Sequence, residues 1–173
     1  MKPSIRIKNW KLFDTMRGHF TFELYKAMAS DRNIYLLLGD LGFGVFNQHR
    51  EDFPQRVINC GASEQAMMDI AVGLAYAGKK PFVYSITNFL LYRPFETLRT
   101  YINHEKLSVR LIGSGRDFDY EKDGWSHHSP DAKKILRTLP NIVTYWPKDK
   151  SEIPLLVDKM VSEEKPSFIS LRR

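Results

Sequence analysis

Hydrophobic positions along the chain gather into six short runs rich in β-branched and aromatic residues: IYLLL at 34–38, RVINC at 56–60, FVYSI at 82–86, VRLIG at 109–113, IVTYW at 142–146 and SFISL at 167–171. Most lack the apolar/polar alternation of a half-exposed sheet, so they predict strands covered on both faces. Helical spacing lies between most of them. Phe13, Met16, Phe20, Leu24 and Ala27 recur at that spacing before the first run; residues 63–77 follow the second, the segment around PFETLRTYIN follows the third, and residues 129–138 and 151–163 supply two more. Strands alternating with helices predict an α/β domain of three layers, with a mainly parallel, about six-stranded sheet flanked by helices and joined by right-handed crossovers. No Pro/Gly/Ser-rich linker, repeat or low-complexity tract divides the chain, so one domain over residues 1–173 is expected. Ligands of such a sheet collect at the carboxyl ends of its strands, where the loops GDLGFG, NCGASE, ITNF and GSGRDFDYEKDGWSHH should sit.

Composition narrows the class. A hydrophobic content of 43% with 13% aromatics belongs to a globular protein. No apolar run approaches the roughly 20 residues of a membrane span, so no membrane partner is expected. The N-terminal MKPSIRIKNWKLF lacks the apolar segment and small-residue cleavage site of a secretory signal, and the single Cys60 allows no internal disulfide. Both observations predict a cytoplasmic protein. The net charge of +6 admits nucleic acid or small anions such as sugar phosphates. No helix-turn-helix, zinc-finger or RNA-binding signature accompanies it, so no nucleic-acid partner is expected.

The candidate chemistry centres on NCGASEQAMMDIAVGLAYAGKK at 59–80, where Glu64 heads a stretch of small and apolar residues that cover more than one side of a helix. A helix so patterned is expected to be buried, and a carboxylate entering it loses hydration and must be paired or protonated. A structural explanation competes: Ser63 can cap the helix, and Glu64 in the first turn gains from the helix dipole. GDLGFG fits neither the dinucleotide fingerprint nor the Lys-Ser/Thr phosphate loop, leaving Asp40 as a helix cap, a ligand contact or a loop anchor. Phe89, Tyr92 and Phe95 are either core aromatics or the wall of a site. The adjacent His127 and His128 have poor geometry for a metal, and no metal site is expected within this chain.

In order along nearly the whole chain, these segments resemble the pyrimidine-binding domain of the thiamine-diphosphate-dependent transketolase family. RGHFTFELYKAMASDRNIYLLLGDLG resembles the family's opening helix and strand, RVINCGASEQAMMDIAVGLAYAGKKPFVYSITNF its cofactor-contacting core, and DGWSHHSPDAKKILRTLPNIVTYWPKD its substrate-loop region. The resemblance implies that Glu64 contacts N1′ of the cofactor's aminopyrimidine. A proton shared there stabilises the imino form of the 4′-amino group, which then activates the thiazolium carbon. It further implies that Phe89, with Tyr92 as a weaker candidate, forms the aromatic wall against the pyrimidine. Asp40 joins these cofactor-contacting candidates. His127 would hydrogen-bond substrate oxygens, Asp123 a substrate hydroxyl, and Arg17 and Arg172 a substrate phosphate.

The departures from the family pattern bear on function. Trp125 and Ser126 stand where the family has proline and threonine, and the loop GSGRDFDYEK lacks a further histidine of typical transketolases. The family's diphosphate-binding Gly-Asp-Gly motif and its third domain are not found in this sequence. The resemblance therefore implies the small, pyrimidine-binding subunit of a split transketolase, transferring a two-carbon ketol unit from a ketose, phosphorylated in the leading reading, to an aldose. A separate diphosphate-binding subunit would hold the diphosphate and Mg²⁺, in an α2β2 heterotetramer. A 2-oxo-acid decarboxylase or acyl-transferring enzyme with the same cofactor, and a regulatory or binding relic of the domain, stand as alternatives.

Overall fold

A computed structural model describes residues 14–173. Phe13, the first position of the opening helical spacing, lies outside the described residues. The elements run α1 (Met16–Ser30), β1 (Ile34–Leu38), α2 (Asn47–Asp52), β2 (Val57–Asn59), α3 (Glu64–Tyr76), β3 (Lys80–Ile86), α4 (Thr87–Tyr92) and α5 (Phe95–Thr97), the last continuing as a π-helical turn (Leu98–His104). Then follow β4 (Arg110–Ser114), α6 (Ala132–Arg137), β5 (Val143–Tyr145), α7 (Ile153–Ser162) and β6 (Ser167–Leu171).

The strands form a six-stranded sheet in the order β2-β1-β3-β4-β6-β5, with every pair parallel. Each β-rich run of the sequence overlaps one of these strands, with β3 starting two residues before its run at Lys80 and β4 ending one residue after its run at Ser114. The edge strands β2 and β5 keep three residues each of the five-residue runs, since each has a neighbour on one side only. The four inner strands are buried on both faces, which is why their sequences do not alternate. Leu36, Leu38, Phe82, Tyr84, Ile112 and Ile169 meet Phe20, Leu24, Val157 and Met160 of α1 and α7 on one side. Leu37, Val83, Leu111 and Phe168 meet Met67, Met68, Leu90, Ile102 and Leu136 on the other. The result is the expected three-layer α/β domain.

One helix has no apolar signal and another follows its strand too closely to stand apart from it. The six residues of α2, NQHRED, bury only His49, and α4 begins directly after β3 with no turn residue between them. The expectation for α3 needs correction. It buries Met67, Met68, Ala71 and Val72, yet its other face leaves Ala66, Ile70, Gly73 and Tyr76 exposed. Apolar residues surround this helix, but this chain covers one side of it. Among the described residues no helix is long and apolar enough to cross a membrane.

At the amino end of the sheet, Arg110 opens β4 and is fully buried. It donates from Nε to the Met160 carbonyl at 2.8 Å, from Nη1 to Ser108 at 2.7 Å and from Nη2 to Glu163 at 3.0 Å. The guanidinium thereby ties the carboxyl-terminal end of α7 to the sheet, capping carbonyls that the helix leaves open. Burial lowers its pKa to about 10.

Candidate functional site

The strand order reverses direction between β1 and β3: the chain leaves β1 for β2 on one side, and returns through α3 to β3 on the other. Such a switch point opens a crevice at the carboxyl ends of the two strands. Gly39 follows β1 there, its amide donating to the Tyr84 carbonyl of β3 at 3.2 Å. Glu64, first residue of α3, projects into this crevice with its side chain only 1% exposed. Its Oε1 accepts from the Ser85 hydroxyl at 2.9 Å, and its Oε2 from Arg93 Nη1 at 2.6 Å. A side chain at Gly39 would crowd this arrangement, because a Cβ there would lie 3.1 Å from Ser85 Oγ and 3.2 Å from Glu64 Oε1.

The carboxylate is thus paired, and its partners lie on β3 and beyond α4. The expected Ser63 cap is not formed: Ser63 sits at the N-cap position but its side chain makes no capping hydrogen bond. Helix capping therefore does not account for this pair of residues. The dipole of α3 still favours negative charge at Glu64.

Arg93 also sits over Phe89, with the guanidinium carbon 3.8 Å from the ring centroid. The His127 ring meets the same phenylalanine edge-on, at 4.9 Å between centroids. His127 Nδ1 is 3.0 Å from the Ser126 hydroxyl, and the Ser126 carbonyl accepts from Asn88 Nδ2 at 2.6 Å, which fastens the GWSHH turn to α4. Glu64, Phe89 and His127, separated by 63 positions in sequence, are therefore joined through Arg93 into one cluster.

Tyr92 faces elsewhere. Its hydroxyl donates to Asp131 at the start of α6, and burial, then that carboxylate, push its pKa up to about 12. With Asn88, Trp125, His128 and Asp131 it lines a cleft of about 260 Å³. Trp125 is 72% exposed at its mouth. Asp40 serves as a loop anchor: it holds a positive φ of 53°, its amide donates to Asn59 Oδ1 at 3.0 Å, and Asn59 Nδ2 donates back to its carboxylate at 3.1 Å. Asn59 Oδ1 also takes the Gly61 amide at 3.2 Å, so one side chain stitches the loops after β1 and β2 together.

The remaining candidates extend from His127 through Tyr120. The Tyr120 ring lies 6.0 Å from His127, and its hydroxyl is 2.9 Å from Ser114 Oγ at the end of β4. Arg173 sits over the other side of this network, 4.9 Å from the Tyr120 centroid, and pairs with Asp123 at 3.8 Å. Arg172 pairs with Asp119 at 3.6 Å. Arg17 acts on the buried Tyr84: burial raises that phenol's pKa, while the Ser114 hydrogen bond and the Arg17 charge pull it down. Arg17 Nε is itself buried, with no hydrogen-bond partner among the described residues.

Sequence reasoning missed Arg93, Ser85 and Asn59. A signal existed for Arg93, a cation four residues after an aromatic in a helical stretch, which places it over that ring. Ser85 was visible as the one polar residue of FVYSI. Among the described residues no group of three or more His, Cys, Asp or Glu side chains is arranged to hold a metal ion.

The residues present suit an aminopyrimidine. The crevice offers a buried carboxyl oxygen, a small residue at Gly39 where a side chain would intrude, and an aromatic face already carrying a flat, nitrogen-bearing group.

Comparison with known proteins agrees. The family model described as "Transketolase, pyrimidine binding domain" matches residues 15–173. The 6-deoxy-6-sulfo-D-fructose transketolase subunit SqwH of Clostridium sp. (strain MSTE9) is 27% identical over 147 residues, covering 85% of this chain and 46% of that protein. A subunit of the apulose-4-phosphate transketolase of Phocaeicola vulgatus is 27% identical over 158 residues, covering 91% of this chain and 51% of that protein. A solved structure described as "Split gene transketolase, inactive beta4 tetramer" superposes with a TM-score of 0.80 at 28% identity, over 92% of this chain and 51% of that one. This chain spans about half the length of these two transketolase subunits.

Proposed function

This chain belongs to the family of transketolase pyrimidine-binding domains, and on that premise we propose that it forms the pyrimidine-binding half of a split transketolase site. A partner chain holds the diphosphate and Mg²⁺, and the reaction moves a two-carbon ketol unit from a ketose, phosphorylated in this reading, to an aldose. Bound thiamine diphosphate supplies an acidic thiazolium carbon that carries the two-carbon unit. The observation that carries the reading is Glu64: a carboxylate with 1% side-chain exposure, directed into the crevice between β1 and β3 and away from its own helix.

In this reading Glu64 holds a proton against N1′ of the ring, with Ser85 fixing the other carboxylate oxygen so that one oxygen alone faces the cofactor. Phe89 supports the ring face. His127 at the edge of Phe89 reaches substrate oxygens, and the basic side chains beyond Tyr120 attract a phosphate. The low dielectric around Glu64 strengthens each hydrogen bond it makes. The exposed apolar face of α3, with Ile70 at 42% and Tyr76 at 59% exposure, supports assembly with further subunits, in an α2β2 complex. The two transketolase subunits named above support ketol transfer as the chemistry.

The test is exchange of the thiazolium hydrogen for deuterium in the assembled complex, followed by quenched NMR, which needs no knowledge of the sugar. Glu64→Gln keeps size and shape but removes the acidic proton. It should slow exchange by about 100-fold or more, the scale of a lost general acid. A Glu64→Gln complex that exchanges as fast as the parent overturns the reading.

A further inference from the structure

The guanidinium of Arg93 makes the two contacts that the proposed function assigns to the cofactor's aminopyrimidine. It is flat, lies 3.8 Å over Phe89, and presents an N–H edge to Glu64 Oε2 at 2.6 Å. A protonated pyrimidine ring would use the same aromatic wall and the same carboxylate. The other oxygen is not open to it, because Oε1 is bonded to Ser85 and backed by Gly39. We infer that Arg93 is a resident stand-in for the aminopyrimidine, occupying its place on Phe89 and Glu64 until the cofactor displaces it.

The way Arg93 is held allows it to leave. Its side chain is 45% exposed, and among the described residues its side-chain hydrogen bond is to Glu64. It lies one residue past α4, so a long flexible stem carries the charge and no framework carbonyl depends on it. While in place it solves a physical problem for the empty site: a carboxylate buried as deeply as Glu64 needs a counter-charge or hydrogen-bond donors. When the ring arrives, that need is met by the ring itself. Glu64 is thus paired with a cation in the empty site and freed from it in the loaded one.

A group that must move first lowers the apparent affinity by the fraction of molecules in which the site is open. Removing it should tighten binding, by about fivefold to twentyfold for an ion pair half-exposed on its arginine side plus a cation–aromatic contact. The inference rests on the pyrimidine-site reading, and the experiment separates the two.

The chain assembled with its partner is titrated with 4-amino-5-hydroxymethyl-2-methylpyrimidine, the ring half of the cofactor, in the parent, Arg93→Ala and Arg93→Lys, with thermal unfolding as a check on the fold. Arg93→Ala should bind the ring several-fold more tightly than the parent, and millimolar methylguanidinium should refill the vacated place and compete in Arg93→Ala but not in the parent. Arg93→Lys keeps the charge without the plane and should also bind more tightly than the parent. It decides the question if Arg93→Ala does not fold. Binding that is unchanged or weaker in a folded variant overturns the stand-in while leaving the site reading intact. Failure of parent and variants alike to bind the ring overturns the site reading itself, and the stand-in with it.

Discussion

Two arginines stack on phenylalanines at opposite ends of the same sheet, and they are held in different ways. Arg110 at the amino end is fully buried, lies 5.8 Å from Phe82 and gives its donors to three backbone carbonyls. Arg93 at the carboxyl end is half-exposed, lies 3.8 Å from Phe89 and holds one carboxylate. The carbonyls that Arg110 serves are reached by a guanidinium sealed from solvent, so nothing that binds from outside can replace what Arg110 does. A carboxylate and an aromatic face can be satisfied by another planar donor. The comparison separates a framework end, where polar groups are consumed by the chain's own backbone, from a working end, where they are paired with side chains that another molecule can take over.

The strongest test of this division falls on Arg110. Arg110→Met keeps the bulk of the side chain but leaves three carbonyls without their donor. A loss of about 3 kcal/mol in unfolding free energy is expected, since hydrogen bonds from charged groups are worth roughly 1.5–3 kcal/mol each and a methionine recovers part of the packing. For a chain of this size that is a fall of about 10 °C in melting temperature. A loss below about 1 kcal/mol would mean that α7 does not depend on this pin, and the division would lose its framework half.

The next effect is smaller and lies in pH. His49 of α2 is buried among Tyr25, Phe46 and Phe53, and its ring nitrogens have no hydrogen-bond partner of good geometry among the described residues. Burial lowers its pKa from 6.5 to about 3, with the Thr21 backbone and Asp52 pulling the other way and Arg50 reinforcing the fall. Between those values the unfolded chain carries the proton and the folded chain does not. Its contribution is therefore complete above about 6.5 and is lost as pH falls toward 3. The slope is roughly 1.4 kcal/mol per unit, or about 2 kcal/mol between pH 6.5 and 5. Urea unfolding across that range in the parent and His49→Phe measures it. The variant should lose that part of the acid sensitivity, and identical slopes would show that the ring is not the group responsible.

How much of this was legible follows from the same division. The inner strands announced themselves as short apolar runs because both their faces are buried, α1, α3 and α7 because burial of one face imposes a helical period, and Glu64 because it interrupts an apolar stretch. The helix α2 was silent, as a six-residue polar segment that buries one histidine has no periodicity to show. The outer face of α3 misled, because exposed Ala66 and Ile70 look the same in sequence as buried ones. Arg110 and Arg93 were both hidden for a further reason: an arginine's role lies in what accepts from it, and two of the acceptors of Arg110 stand 50 and 53 positions away, that of Arg93 29 positions away. Phe89 and His127, by contrast, were found by resemblance, and the fold brings them into contact.

That contact sets the finest test of the working end. The resemblance assigns His127 to substrate, beyond the residues that touch the pyrimidine, yet its ring meets the edge of Phe89, the wall on which the pyrimidine is proposed to rest. Two outcomes are therefore distinguishable. If His127 reaches outward, Ser126 orients its Nδ1, the other ring nitrogen is free for a substrate oxygen, and His127→Ala removes one hydrogen bond from the transferring complex. Ketol transfer should then slow by about tenfold, equivalent to roughly 1.4 kcal/mol, while the affinity of the assembled complex for thiamine diphosphate changes less than about twofold. If instead the imidazole mainly braces Phe89, its loss lets the ring tilt, and cofactor affinity and transfer rate should fall together. A parallel loss would move His127 from the substrate side of Phe89 to the cofactor side. It would also show that the working end is less sharply layered than its contacts suggest.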